Sequence, residues 1–397
     1  MVSRNPVASD RARRREHHGV SRLKSGPQLS IGLRAWALLL AALACSFALG
    51  ACDSQTGGAG DFQVSLVRPK ASEARMQAWA SAVDFVDATH GWVIGHWTID
   101  GNFVRPLVWR TTDGRTWQAL EIPVRESPDA VDFVDPRHGW VVTTGSEAAV
   151  EGPGVAILHT TDGGLTWDIT RSADLIMLES AHGSLFFSDA SHGWVVGDAR
   201  RDNRSVALST DDGGVTWRTV PVSEQPVTLT SVAFADAEHG WISGFFNQRY
   251  GAPGAAFQSS DGGRTWRLAA SDPSPASGLF RLDSTHLWSM TWPHQLLGLD
   301  SQGAGWKPIG GREAGPDLFA FATPTVGWGI RFDRGEEERV VGWHLLRTAD
   351  AGDTWTDCRV DLPDEPVDLT CPTSDSVVVV TQSGAIATVS EKGGTAP

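Results

Sequence analysis

Hydrophobic and polar residues divide this chain into two unlike parts: one uncharged, mostly apolar run, Ala35 to Ala51, and a long region from residue 76 onward in which they alternate. The alternation has a period of two, in runs of about six residues separated by Gly-, Asp- and Pro-rich breaks every 8 to 12 or so, as expected of short antiparallel strands joined by tight turns. Two patterns punctuate the strands. The first reads FVDATHGW at 85–92, FVDPRHGW at 133–140, FSDASHGW at 187–194 and FADAEHGW at 234–241. Weaker copies keep Asp283, His286 and Trp288, then Phe321, Gly327 and Trp328, and a last one keeps little beyond Leu369. The second pattern is TTDGGLTW at 160–167, TDDGGVTW at 210–217, SSDGGRTW at 259–266 and TADAGDTW at 348–355. It is one residue shorter around Asp113 and eroded between Asp300 and Trp306.

The two patterns alternate, so the repeating unit is four strands: A runs into the first pattern, B leaves it at Gly-Trp, C runs into the second, and D leaves it from the Trp. Seven innermost strands, near 85, 133, 187, 234, 281, 321 and 369, are spaced by 40 to 54 residues. A unit repeated at such a period predicts an all-β, seven-bladed β-propeller over residues 76–397. The second pattern carries the Trp of the outer strand, at 117, 167, 217, 266, 306 and 355, one fewer than the innermost strands. An N-terminal strand is therefore expected to close the ring, and Met76 to Ser81, with Trp79 in the place of that Trp, is the segment that fits.

The second pattern resembles the Asp-box, or bacterial neuraminidase repeat. Its carboxylates at Asp113, Asp162, Asp212, Asp261 and Asp350 suit hydrogen bonding to turn N–H groups, a structural task. With the first pattern beside it, nearly all of residues 76–397 is similar to the photosystem II stability and assembly factor family. The resemblance implies a seven-bladed propeller that binds folding membrane proteins and performs no chemistry, with an assembly or scaffolding role.

Charge changes the picture twice. The formal net charge is −14, but residues 1–34 hold eight Arg and Lys against Asp10 and Glu16, which leaves the remainder near −20. A body so acidic is a poor partner for nucleic acid or an anionic surface. The basic leader, the apolar run and the ending Leu49-Gly50-Ala51-Cys52 together resemble a lipoprotein signal peptide, 1–51, with Cys52 as the lipidated residue. Residues 52–75, rich in Ser, Gln and Gly at their start, read as a flexible tether. This predicts a monomeric propeller in the cell envelope, anchored by lipid on the extracytoplasmic side; Asp53 after the lipidated position points to the cytoplasmic membrane.

Of the other cysteines, Cys358 and Cys371 remain in the propeller, either bridged, as export permits, or as two buried thiols. No cofactor is expected. His90, His138, His192, His239 and His286 occupy equivalent turns in different blades, so a turn-stabilising role suits them better than a shared metal, whose ligands must converge on one point.

Asp-boxes also occur in sialidases and endoglucanases, so a glycosidase or carbohydrate-binding propeller is the alternative. The stretch nearest a sialidase's Arg-Ile-Pro is Glu121-Ile122-Pro123, and the only Tyr is Tyr250. Asp100, Glu147, Asp202 and Asp333 are loop carboxylates without an evident pairing. The B–C and D–A connections differ in every blade and share one face, where variable loops on a rigid ring place function. Trp97, Arg105, Arg201, Phe246, Arg249, Tyr250, Trp292 and His294 are the candidate binding residues there.

If Cys52 is the acylated residue, Cys52→Ser should leave the protein unlabelled when cells are fed a clickable fatty acid. Equal labelling of the two proteins would refute the assignment.

Overall fold

The computed structural model describes residues 53–57, 62–68, 75–144, 155–171, 178–180, 185–199, 205–246, 254–269, 277–291, 294–299, 305–311, 315–336 and 339–392. They form seven antiparallel sheets, the blades of a propeller. Strands A to D of blade 1 are Met76–Phe85, Gly91–Ile99, Asn102–Thr111 and Gln118–Leu120. Blade 2 has Ser127–Phe133, Gly139–Thr144, Val155–Thr160 and Asp168–Thr170. Blade 3 has Leu185–Phe187, Gly193–Ala199, Ser205–Thr210 and Arg218–Val220, with Leu178–Ser180 adding a short pairing to strand B. Blade 4 has Val227–Phe234, Gly240–Phe246, Gly254–Ser259 and Arg267–Leu268. Blade 5 has Ser277–Asp283, His286–Met290, Leu296–Leu299 and Trp306–Pro308, and blade 6 has Leu318–Phe321, Gly327–Arg334, Val340–Thr348 and Thr356–Asp357. In blade 7 the chain supplies Pro366–Thr373, Ser376–Thr381 and Ile386–Glu391, and successive A strands pack against one another around the axis.

The first repeat explains how blades join. Phe85, Phe133, Phe187 and Phe234 each lie over the Gly that opens strand B of the same blade, so closely that a Cβ on Gly91, Gly139, Gly193 or Gly240 would overlap the ring. The Trp after that Gly reaches into the next blade. Trp92 stacks on Phe133 at 3.5 Å, Trp140 on Phe187 at 3.5 Å, Trp194 on Phe234 at 3.6 Å and Trp288 on Phe321 at 4.0 Å between ring centres. The box Trp of each Phe's own blade meets its ring edge-on, as Trp167 does on Phe133 and Trp217 on Phe187. Two indoles also donate across the seam, Trp92 to the Gly163 carbonyl at 3.0 Å and Trp140 to that of Gly213 at 2.8 Å. Stacked and edge-to-face pairs of this kind add about 0.5–1.5 kcal/mol each beyond area burial.

Blade 5 shows the rule by its exception. Arg281 stands where the Phe belongs, and with no ring to clear, Leu287 replaces the Gly and is buried. The Trp of blade 4, Trp241, packs instead edge-on against Trp306 at 5.3 Å.

An N-terminal strand does close the ring, but a different one from that expected. Met76–Phe85 is a single ten-residue strand paired over its whole length with strand B of blade 1, from Met76 opposite Ile99 to Phe85 opposite Gly91. Trp79 is thus an inner-strand residue whose indole donates to the Thr98 hydroxyl at 3.2 Å. The outer strand of blade 7 is Phe62–Arg68, paired antiparallel with Ile386–Glu391, and Asp53–Gly57 adds a fifth strand outside it. These two strands lie in the stretch 52–75 read from sequence as tether. Val67 is buried, Phe62, Val64 and Leu66 are partly so, and Phe62 meets Trp328 of blade 6 edge-on at 5.6 Å. Cys52 and residues 1–51 lie outside the described residues.

At about 1.5–3 kcal/mol per buried apolar side chain, losing these four would remove an amount comparable with the whole stability of a typical domain, about 5–15 kcal/mol. Deleting 53–68 should therefore expose the Ile386–Glu391 edge and produce aggregates on size exclusion with a collapsed melting transition, whereas deleting 53–57 alone should leave a monomer that melts cooperatively. A monomeric, cooperatively melting 53–68 deletion would overturn this account of closure.

Candidate binding face

The face formed by A–B and C–D turns is consumed by architecture. In each complete box the Asp accepts from the backbone and the hydroxyl of the Thr four residues on: Thr166 to Asp162, Thr216 to Asp212, Thr265 to Asp261 and Thr354 to Asp350, with N–H distances of 2.8–2.9 Å and hydroxyl distances of 2.6 Å. The shortened box makes the same bonds from Thr116 to Asp113. The Thr265 hydroxyl and N–H hold the Asp261 carboxyl down to about 2. The five repeated histidines serve their own turns: Nδ1 of His90, His138, His192, His239 and His286 lies 2.8–3.0 Å from Asp87, Asp135, Asp189, Asp236 and Asp283. Each is bound within its own blade.

Three carboxylates that the sequence reading passed over tie the A strands together. Asp368 of blade 7 accepts from Val83 N–H of blade 1 at 2.9 Å, Asp84 of blade 1 from Phe133 N–H of blade 2 at 2.7 Å, and Asp132 of blade 2 from Phe187 N–H of blade 3. Burial pushes Asp84 up to about 6 and Asp368 up to about 7. Burial, then the Asp84 charge, also raises Asp132 well above the usual carboxylate range, against an opposing pull from Arg281. Their signal was legible: Ala-Val-Asp-Phe occurs at 82–85 and 130–133, and Pro-Val-Asp-Leu at 366–369, a charge in an otherwise apolar strand.

The opposite face carries the loops. Between blades 7 and 1 it opens into a groove of about 400 Å³ whose lining includes Arg68, Gln77, Trp79, Trp97, Asp364 and Gln382. Its elements are the end of the closing strand, the start of blade 1, and the B–C turn of blade 7. Asp364 braces that turn, accepting the Ser383 N–H at 2.8 Å. Trp97 is largely buried, and the exposed Arg105 sits beside it in register, its guanidinium carbon 6.0 Å from the indole.

The other candidates are not gathered at this groove. Phe246 belongs to blade 4 and is half-buried against Phe257. His294 of blade 5, at a φ of +36°, has Nδ1 3.4 Å from Asp317, which also takes Arg334 at 2.6 Å. Arg201, Arg249, Tyr250 and Trp292 lie outside the described residues, as do Glu147 and Asp202. Asp100 is paired with Arg75 at 2.6 Å, and Asp333 with His344 at 3.0 Å, whose other ring nitrogen is 2.8 Å from Asp357. Residues Arg68, Gln77, Asp364 and Gln382 escaped sequence reasoning because only closure brings the first and last blades together.

Cys358 and Cys371 are not bridged. Cys358 follows strand D of blade 6 at the rim, while Cys371 lies on strand A of blade 7 at the axis with its sulfur 3.4 Å from the Ala320 carbonyl. The width of a blade separates them, at about 4.8 Å per strand. Burial pushes the Cys358 thiol up to about 12 and raises that of Cys371 further.

Residues 109–225 and 175–277 match the family model described as Photosynthesis system II assembly factor YCF48. A solved structure of YCF48 bound to D1 peptide is similar at 17% identity, with 86% of this chain and 100% of that chain covered and a TM-score of 0.54. YCF48 from Cyanidioschyzon merolae is similar at 16% identity, over 80% of this chain and 97% of that one, with a TM-score of 0.53. The GH74 enzyme of Niastella koreensis is similar at 14% identity and a TM-score of 0.55, over 79% of this chain but 53% of its own. No curated protein matches the chain in sequence.

The buried aspartates and the box aspartates act in opposite pH windows. A carboxyl raised in the folded state contributes stability that is complete below about pH 4 and lost as pH rises through 6 to 7, the values of Asp84 and Asp368. One lowered to about 2, such as Asp261, contributes stability that is lost as pH falls from about 4 through 2. The melting temperature should therefore be highest near pH 4 and fall from there to about pH 7. The double variant Asp84→Asn, Asp368→Asn should lose less than half as much between pH 5 and 8 as the wild type. Equal losses in the two proteins would remove these carboxyls as the cause.

Proposed function

We propose that this chain, whose repeats belong to the photosystem II assembly factor-like family of Asp-box propellers, is a non-catalytic binding scaffold, lipid-anchored in the cell envelope on the extracytoplasmic side of the cytoplasmic membrane. Its ligand is a protein segment taken up in the groove between blades 7 and 1, and its task is to assist the assembly or stability of that partner. The observation that carries the reading is the composition of this groove. Two indoles supply apolar surface, the amides of Gln77 and Gln382 can pair with an extended backbone, and Arg68 and Asp364 offer one charge of each sign. The solved YCF48 structure with a bound D1 peptide supports peptide capture by a propeller of this kind.

The similarity to GH74 enzymes favours a second reading, a glycosidase. It would need two opposed carboxyls on the open face, one acid and one base or nucleophile. Asp100 and Asp333 are each held by a cationic or imidazole partner within their own surroundings.

Arg68, Gln77 and Gln382 are exposed, so replacing all three with Ala should cost little stability. The triple variant should lose at least about 90% of the protein that co-purifies with the anchored wild type while melting within a few degrees of it. Undiminished co-purification, or release of sugar from xyloglucan or sialyl substrates by the wild type, would overturn the scaffold reading.

A further inference from the structure

The strand that closes the ring also decides where an anchor would sit. Asp53 begins the outermost strand of blade 7 and stands opposite Arg68, which lines the groove. Cys52 is the residue before Asp53, so one peptide bond, about 3.8 Å between Cα atoms, joins the acylation position to the sheet. Antiparallel partners are about 5 Å apart, which puts the acylation position within about 10 Å of the groove. The end of the strand matters as much as its position. Phe62 is opposite Glu391 and Val67 opposite Ile386, so Arg68, and with it Asp53, lies at the loop-bearing end of blade 7.

We infer that the acyl group holds the propeller by the loop-face rim of blade 7, with that face and its groove toward the bilayer. This rests on the reading of Cys52 as lipidated. A lipidated Cys lies at the headgroup level, and there is no free tether between it and the fold, so the groove stands about 10–15 Å above the lipid surface.

The two ends of one strand report the orientation. Asn102 begins strand C of blade 1 on the loop face, Thr112 follows its end on the other face, both are exposed, and about 30 Å separates them. Lipidated Asn102→Cys and Thr112→Cys proteins, labelled with a donor dye, would be placed on phosphatidylethanolamine and phosphatidylglycerol vesicles carrying an acceptor on the headgroup. Cys358 and Cys371, with raised thiols and limited exposure, should label little. Energy transfer should be several-fold more efficient from Asn102→Cys; equal or reversed efficiencies would overturn the orientation. A second arm inserts about 30 Gly and Ser residues between Cys52 and Asp53, freeing the propeller by about 30 Å while keeping acylation and groove. Energy transfer from Asn102→Cys should then fall several-fold, and an unchanged efficiency would overturn the short link between the acyl group and the fold. If Cys52 carries no fatty acid, it is the anchor reading that has failed; if it does and the dye distances are equal, the orientation has.

Discussion

The ring depends on a Phe held over a Gly and clasped by two Trp, one from the preceding blade and one from its own outer strand. Phe133 shows the arrangement: it lies over Gly139, stacks on Trp92 at 3.5 Å and meets the edge of Trp167 at 6.3 Å. Each such cluster belongs to two blades at once, so no blade completes its core alone. Blade 5 demonstrates the coupling, since losing the Phe at Arg281 is accompanied by Leu287 in place of Gly and by Trp241 turning to Trp306. Close packing explains why the changes come together: an interior has neither room for an added Cβ under a ring nor tolerance for the hole left without one.

The same demand for a neighbour makes closure the critical event. The last blade cannot shield its C strand until Phe62–Arg68 pairs with Ile386–Glu391, more than three hundred residues away in the chain. That pairing sets the position of Asp53–Gly57 and completes the groove between blades 7 and 1, at the seam where Asp368 meets the Val83 N–H. Structure and candidate function therefore meet at one seam. The groove proposed to bind a partner lies at this closure seam, beside the strand that begins one residue after the position read as lipidated.

The asymmetry of the two faces follows from what each repeat consumes. On the Asp-box side the carboxylates and histidines are engaged by their own turns, leaving the chemistry of those residue types internal. On the loop side nothing in the repeat constrains the connections, and exposed residues such as Arg68 and Gln382 stand at their edges. Buried aspartates on the axis are a third class, spent on A-strand N–H groups where water does not reach.

The amino-acid sequence by itself determined the repeat, the number of blades, the innermost strands and the structural use of Asp162 or His138, because each of these is settled within a few residues by turn geometry and alternation. It assigned Trp97 and Arg105 to a variable loop, whereas both lie in paired strands and Trp97 is buried. It misplaced Trp79, since a short alternating segment with a Trp satisfies the pattern of an inner strand and of an outer one equally. Only the tertiary structure decided that Phe62–Arg68 closes the ring, that Cys358 and Cys371 stay apart, and that Arg68, Gln77, Asp364 and Gln382 share a groove. The reason is physical: strands pair through backbone groups that every residue carries, so which distant strand is chosen depends on the whole ring having one vacant edge, and no local pattern records that.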